Sequence, residues 1–380
     1  MRVLMISKAC VMGSYQKKLE ELAAFDDVDL TLIVPPYWQE KGHRIALERS
    51  HTEGYELVVE KMSLNGHFHL HFYPNLATHV KRLRPEIMHI DEEPYNLATF
   101  HATRLASGLG AESLFFTWQN LRRRYPFPFS WMEQYNYCHS AHAIAGNRDG
   151  VDVLRAKGYG GPVTVIPQFG VDTAVYKPPP GEAKEDRQPL QIGYVGRLVE
   201  EKGVDLLLRA VAELDGEWRV SILGEGPHRA RLLQLAEQLE LRENVAFEPP
   251  LPTAKMPEYY RKLDALVLPS RARPHWKEQF GRVLIEAMAC GIPVVGSNSG
   301  EIPHVIGQAG LLFPEEDVEA LRAGLRNLIV DQGLRRALAN KGRERVLEHY
   351  TQKAIAQATR DVYVKIIASQ THRIQGPPPT

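Results

Sequence analysis

Two glutamates eight positions apart, Glu278 and Glu286, bracket Phe280 and Gly281 in the stretch EQFGRVLIEAMACGIPVVGSNSGEIP, Glu278 to Pro303. Leu284, Ala287 and Met288 recur at helical spacing, which predicts a helix from near Gly281 to Ala289. Cys290-Gly291-Ile292-Pro293 stops it, and Pro293 to Gly296 reads as a short buried strand. Over eight helical residues the chain rises about 12 Å and turns about 80°. Glu278 therefore falls just before the helix N-terminus, and Glu286 two turns in on a neighbouring face. First-turn amides have no intrahelical partner, so they favour an anion between the two carboxylates. The arrangement suits a ligand with hydroxyls at both ends and phosphates in its middle. Two solvated glutamates on an amphipathic helix would share the spacing, so the surrounding chain must decide between the readings.

Cations for such phosphates lie upstream. Leu190 to Val195 reads as a strand, and the loop Gly196 to Gly203 joins it to a helix over Val204 to Glu213. Arg197 and Lys202 lie five apart on that loop and can converge on one diphosphate, the first through paired N–H donors and the second as a point charge. Arg219 to Leu223 is a second strand ending in Gly224-Glu225-Gly226-Pro227, followed by a helix over His228 to Leu239 and a strand over Val245 to Phe247. A helix over Met256 to Leu263 and a strand over Ala265 to Leu268 lead to the loop Arg271 to Lys277, which carries His275 and Trp276 and delivers Glu278.

Glu-x7-Glu with Phe-Gly inside it, Gly-x-Pro-Val-Val after it, Gly-Arg-Leu-x3-Lys-Gly at 196–203 and Gly-Glu-Gly-Pro at 224–227 together resemble the retaining glycosyltransferases of family 4. The resemblance covers nearly the whole chain and is strongest over residues 190–315. It implies an α/β fold of the GT-B type, with two Rossmann-like domains facing each other across a cleft and a C-terminal helix crossing back to the first. It further implies transfer of a sugar from a nucleotide diphosphate sugar, UDP- or GDP-linked, to a sugar, lipid or small-molecule acceptor. Configuration would be retained, without a metal ion or other cofactor. In that scheme Glu278 contacts sugar hydroxyls and stabilises positive charge at the ring, while Arg197 and Lys202 stabilise the departing diphosphate. Glu286 accepts from the ribose, and Phe280, Gly281 and Val283 complete the donor contacts. Pro249 to Pro252 lies where the nucleobase is held. The leaving phosphate itself deprotonates the acceptor. A sugar-nucleotide epimerase of the same fold and a catalytically silent nucleotide-sugar-binding protein are the alternatives.

The first half must supply the other domain. Val3 to Ile6, a loop Ser7 to Ser14, a helix Tyr15 to Ala24 and a strand Leu30 to Val34 form a strand-loop-helix-strand opening, which argues for a parallel sheet. Ligands bind such sheets at the strands' carboxyl ends. Gly13 lies there, where the family carries a paired glycine. Glu93, in the polar loop that ends the loop-strand-loop segment Arg84 to Pro94, and Gln119-Asn120, after the strand Ser113 to Thr117, are the further acceptor-side candidates; a general base is conceivable for either His89 or Glu93, though a satisfied structural residue is the favoured reading. Trp118-Gln119-Asn120 stands where many family members have a histidine. His67 to Phe72 alternates at period two, which predicts a strand with three histidines on one face; a solvated face is favoured there over a metal site. Asp27-Val28-Asp29 reads as a solvated turn rather than a metal motif. Arg122 to Phe129 is a basic-aromatic loop that could make a weak peripheral membrane contact, though a solvated acceptor-side loop is the preferred reading. The domain limits are 1–178, a proline-rich linker 179–189, 190–350, a crossing helix 351–369 and a disordered tail 370–380.

With 44% hydrophobic and 24% charged residues in 380, the chain is of ordinary globular composition. Lys+Arg and Asp+Glu are both 46, so no bulk field draws in nucleic acid. Cys10, Cys138 and Cys290 are far apart, which predicts buried thiols in a reducing compartment. Without a leader pattern or a long apolar run, a cytoplasmic location is expected.

Overall fold

The computed structural model describes residues 1–40, 42–179 and 188–375. The chain divides into two compact units, Met1–Gly170 together with the segment from Gln352 onward, and Val171–Thr351. The expected linker falls mostly on residues 180–187, outside the described residues.

In the first unit, β1 (Arg2–Ile6), β2 (Asp29–Val34), β5 (Glu56–Val59), β6 (Ile87–Ile90), β7 (Glu112–Thr117), β8 (His142–Ala145) and β9 (Val163–Val165) form one sheet in the order β5-β2-β1-β6-β7-β8-β9, parallel throughout. A small antiparallel pair, β3 (Tyr37–Glu40) and β4 (His43–Ala46), stands apart. Strands such as Val3-Leu4-Met5-Ile6 and Ile87-Met88-His89-Ile90 are buried along their whole length, as a sheet covered on both faces requires. The covering helices are α1 (Gly13–Ala23), α2 (Leu76–Leu83), α3 (Leu97–Leu109), α4 (Phe129–His139) and α5 (Arg148–Ala156).

The second unit repeats the plan. β10 (Leu190–Val195), β11 (Trp218–Leu223), β12 (Val245–Glu248), β13 (Ala265–Leu268), β14 (Val294–Ser297) and β15 (Leu311–Phe313) are all parallel, in the order β12-β11-β10-β13-β14-β15. Its helices are α6 (Val204–Ala212), α7 (Arg229–Gln238), α8 (Met256–Lys262), α9 (Arg282–Ala289), α10 (Ile302–Ile306), α11 (Val318–Val330) and α12 (Gln332–His349). The chain then returns to the first unit as α13 (Gln352–Gln375), where Tyr363 is buried against β6 and Arg360 grips Asp27 with two hydrogen bonds of 2.7 and 2.9 Å. Asp27 is thus an ion-pair partner.

Three expectations are corrected. The helix runs on through 370–375, residues assigned to a disordered tail, and Gln370 donates to the Gly110 carbonyl. His67 to Phe72 is no strand. His67 N bonds Leu64 O, and both Leu70 N and His71 N bond His67 O, so the segment is a succession of turns. Its histidines do not share a face: His67 is exposed, His69 half-buried and His71 buried beside Glu92. Cys138 is exposed, unlike Cys10 and Cys290.

Candidate functional site

In each sheet the winding direction reverses beside the first strand, between β1 and β6 in one unit and between β10 and β13 in the other. The loops at the carboxyl ends of such a strand pair diverge and leave a crevice, the usual ligand position in open α/β sheets. In the second unit these are the loop from Gly196 to Gly203 and the loop from Pro269 to Gly281, the two that carry Arg197, Lys202 and Glu278.

The structure brings Lys202 and Glu278 together. Lys202 Nζ donates to Glu278 Oε2 at 2.6 Å, Ser270 Oγ donates to the same oxygen at 2.8 Å, and Glu278 is only 7% exposed. The Lys202 ammonium also lies 5.0 Å from the centre of the Trp276 ring. Two glycines permit this closeness. Gly203 has φ +66°, and a Cβ there would stand 1.9 Å from the Pro269 carbonyl oxygen, so only glycine lets the first loop press on the second. Gly300 has φ +54°, and its Cβ would stand 2.1 Å from the carbonyl oxygen of Glu278, which accepts from Glu301 N at 3.2 Å. Arg271 secures the far side, pairing with Asp205 and, at 3.2 Å, with Glu316.

Glu286 sits on α9 as expected, 6% exposed, but its carboxylate is already held: Tyr260 OH donates to Oε2 at 2.8 Å and Arg282 Nε to Oε1 at 2.7 Å. Burial pushes the Glu286 carboxyl above its ordinary range, and Arg282 and Tyr260 oppose that. A carboxylate offers about four lone-pair sites, so acceptor capacity remains for a ligand hydroxyl. Gly281 caps α9 without a capping side chain, and Phe280 and Val283 flank it half-buried, with the Phe280 ring 5.7 Å from that of Tyr350. Arg197 is not joined to this set. Its side chain is 60% exposed and stands 3.8 Å from Glu201. Ser270, Tyr260 and Arg282 were not anticipated. Arg282 could have been found as the i−4 partner of Glu286; nothing local marks Tyr260.

The equivalent crevice of the first unit holds a buried polar network. Ser7 Oγ donates to Asp91 Oδ2 at 2.6 Å, and Lys8 pairs with Glu92, whose carboxylate His71 Nε2 approaches to 3.5 Å. Burial would raise the Glu92 carboxyl, but Lys8 and His71 outweigh it and hold the group at about 2. Next to it Glu93 accepts from Thr117 Oγ1 at 2.6 Å and Trp118 N at 2.8 Å, yet burial pushes it up to about 7. Gln119 and Asn120 are both buried, with Gln119 Oε1 accepting from Lys157 at 3.2 Å. Gly13 donates its N–H to Glu48 Oε2 at 2.7 Å, and the space beside its Cα is filled by Ser50. His89 lies deep in β6, bonded to Tyr363 OH at 2.6 Å, with burial holding its pKa well below the usual value. Among the described residues no group of three or more His, Cys, Asp or Glu is arranged to hold a metal ion, and no helix is long and apolar enough to cross a membrane.

The family described as glycosyl transferases group 1 matches residues 180–345, the span that contains the Lys202–Glu278 pair and Glu286. Among curated proteins, a GDP-mannose-dependent α-(1-6)-phosphatidylinositol monomannoside mannosyltransferase of Mycolicibacterium smegmatis is 31% identical over 48% of this chain and 51% of its own length. A D-inositol 3-phosphate glycosyltransferase of Kineococcus radiotolerans is 33% identical over 54% of this chain and 52% of its own length. The chain spans about half the length of the curated relatives it matches. Among solved structures, the sucrose-phosphate synthase of Thermosynechococcus elongatus superposes with a TM-score of 0.70 at 19% identity, over 97% of this chain and 100% of that one. That likeness concerns the fold, which is GT-B.

Proposed function

We propose that the chain is a retaining glycosyltransferase that moves a sugar from a UDP- or GDP-linked donor to a hydroxyl of a sugar, polyol or lipid-linked acceptor. The observation that carries this reading is the Lys202–Glu278 pair at the crevice of the family-matched unit. A buried carboxylate beside an ammonium is the charge pattern needed where one bond breaks into a cationic ring and an anionic diphosphate. Glu278 faces the developing positive charge, and Lys202, with Arg197 from the same loop, neutralises the diphosphate in place of a metal ion. The bond from the anomeric carbon to the phosphate oxygen breaks while the acceptor oxygen bonds to the same face. The acceptor proton passes to the departing phosphate, so no side-chain base is needed. Glu286, set by Tyr260 and Arg282, takes the ribose hydroxyls. The name of the mycolicibacterial relative, GDP-mannose-dependent, supports a nucleotide sugar donor.

Calorimetric titration with UDP, GDP, ADP and their sugar conjugates, in the presence of EDTA, tests the donor half. Selective binding of one nucleotide series is expected. Binding of none, or binding restored only by divalent cation, overturns the metal-independent donor site. The anomeric configuration of the product, read by NMR with the matching donor, tests retention.

A further inference from the structure

One face of the first unit is both apolar and basic, and nothing in the donor site uses it. Phe127 is 81% and Trp131 49% exposed at the start of α4, and Phe68 and Leu70 are exposed on the turn from His67 to Phe72. These belong together. The turn is tied to the start of α3 by a 2.9 Å bond from Leu97 N to His69 O, and the His69 ring lies 5.1 Å from that of Phe129. Trp131 packs on Phe100 of α3 at 4.8 Å. Phe100 in turn lines an apolar groove of about 590 Å³ with Phe72, Leu97 and Leu109, which has Lys81 and Arg104 in its walls. Exposing this much aromatic and aliphatic surface costs about 25 cal/mol per Å², and large contiguous patches on soluble proteins mark interaction sites.

The charge of this face differs from that of the chain. Residues 61–132, from which it is drawn, contain eight Lys or Arg against five Asp or Glu, and three of those five, Asp91, Glu92 and Glu93, are buried, in a protein whose formal net charge is zero. Arg122, Arg123 and Arg124 are exposed on the loop beside Phe127. Phe and Trp side chains flanked by arginines match a bilayer interface, where rings enter the boundary of the acyl region and guanidinium groups meet phosphates. A nucleic acid would use the arginines and rings but leave Leu70 and Leu109 in water.

We propose that this face docks the protein on an anionic phospholipid surface, with Phe68, Leu70, Phe127 and Trp131 inserting and the Arg122–Arg124 triplet lying among the headgroups. The proposal is independent of the donor reading, since vesicle binding is measured without turnover and involves none of the Glu278 set.

The test is co-sedimentation of the full chain with phosphatidylcholine vesicles and with vesicles containing about one-third phosphatidylglycerol. Binding to the anionic vesicles should be at least about tenfold tighter, and should weaken as salt shortens the Debye length. Phe127→Ser with Trp131→Ser should lose about tenfold or more of that affinity. Arg122→Ser, Arg123→Ser and Arg124→Ser should each lose about fivefold on anionic vesicles. Quenching of tryptophan fluorescence by brominated lipid should be seen with the unmodified chain, a reading that does not depend on any variant folding. Three results would overturn the proposal: no sedimentation with anionic vesicles, an aromatic double variant that folds and binds undiminished, or a lipid-free dimer abolished by that variant, which would assign the face to a second copy.

Discussion

The Lys202 ammonium stands 2.6 Å from the Glu278 carboxylate, although 76 residues separate them in sequence. The contact joins the loop after β10 to the loop after β13, the two that diverge where the sheet reverses. Each group offsets the other's desolvation while no ligand is bound. The contact therefore aims both groups into a site that must later receive opposite charges.

Lys202→Met should cost more than the lost contact, because Glu278 is left buried with its cation gone. Breaking a buried pair from one side costs about 3–5 kcal/mol, near the lower end here because the Lys202 side chain is partly exposed. Glu278→Gln added to Lys202→Met should recover part of that loss. Urea unfolding of the two single variants and the double variant measures the coupling. Additive losses would mean the pair does not exist in solution.

Gly300→Ala should fail for a backbone reason. A left-handed residue other than glycine costs about 1–2 kcal/mol, and the new methyl would also meet the Glu278 carbonyl at 2.1 Å. The backbone at Glu278 must move for the methyl to fit. Loss of donor binding with the fold retained by circular dichroism is the expected result. Wild-type affinity in this variant would show that the turn does not set Glu278.

Glu93 supplies a pH signature. Its carboxyl is raised to about 7 by burial, against an ordinary 4.5, despite the bonds from Thr117 and Trp118. The folded state therefore keeps a proton that the unfolded state releases across this window. Stability from that proton is complete below about pH 4.5 and is lost as pH rises to about 7, on the order of 3 kcal/mol. Glu92, held at about 2, titrates below the window and acts in the opposite sense. In urea unfolding at about pH 5 and pH 7.5, Glu93→Gln should flatten the decline seen in the wild type. Parallel profiles would place the titration elsewhere.

The second unit was legible because its strands are short apolar runs and polar loops follow them directly, so strand ends located the two loops that carry Arg197, Lys202 and Glu278, while the exposure of Arg197 away from the Lys202–Glu278 pair was not legible. What failed to show was contact at a distance. Tyr260 reaches Glu286 from α8, and Ser270 reaches Glu278 by the course of a loop that has no periodicity. In the first unit, period-two alternation at His67 to Phe72 imitated a strand, whereas Gly66 at φ +92° and Leu64 at φ +53° turn the chain just before it. The strand pair β3–β4 and strand β5 went unassigned, each being four residues long with half or more of its positions in contact with solvent. The period-two pattern also hides the apolar face, since a strand with its histidine face in solvent would turn Phe68 and Leu70 inward, whereas both are exposed.

Arg197 and Glu286 should separate by kinetics. Glu286 is buried and fixed from two sides, so it can offer the same contact to donor in the ground and transition states. Glu286→Ala should therefore raise the donor KM by about tenfold or more, with kcat falling less. Arg197 is exposed, with Glu201 at 3.8 Å its one ion-pair partner among the described residues, so it can follow charge as it accumulates on the leaving diphosphate. An interaction that strengthens in the transition state lowers kcat and kcat/KM together when removed, by about tenfold to a hundredfold for one charged donor. Initial-rate kinetics of the two variants over a donor concentration series decides the matter. If Arg197→Ala changed only KM, its charge would serve binding alone, and Lys202 would be left as the side chain that stabilises the departing group.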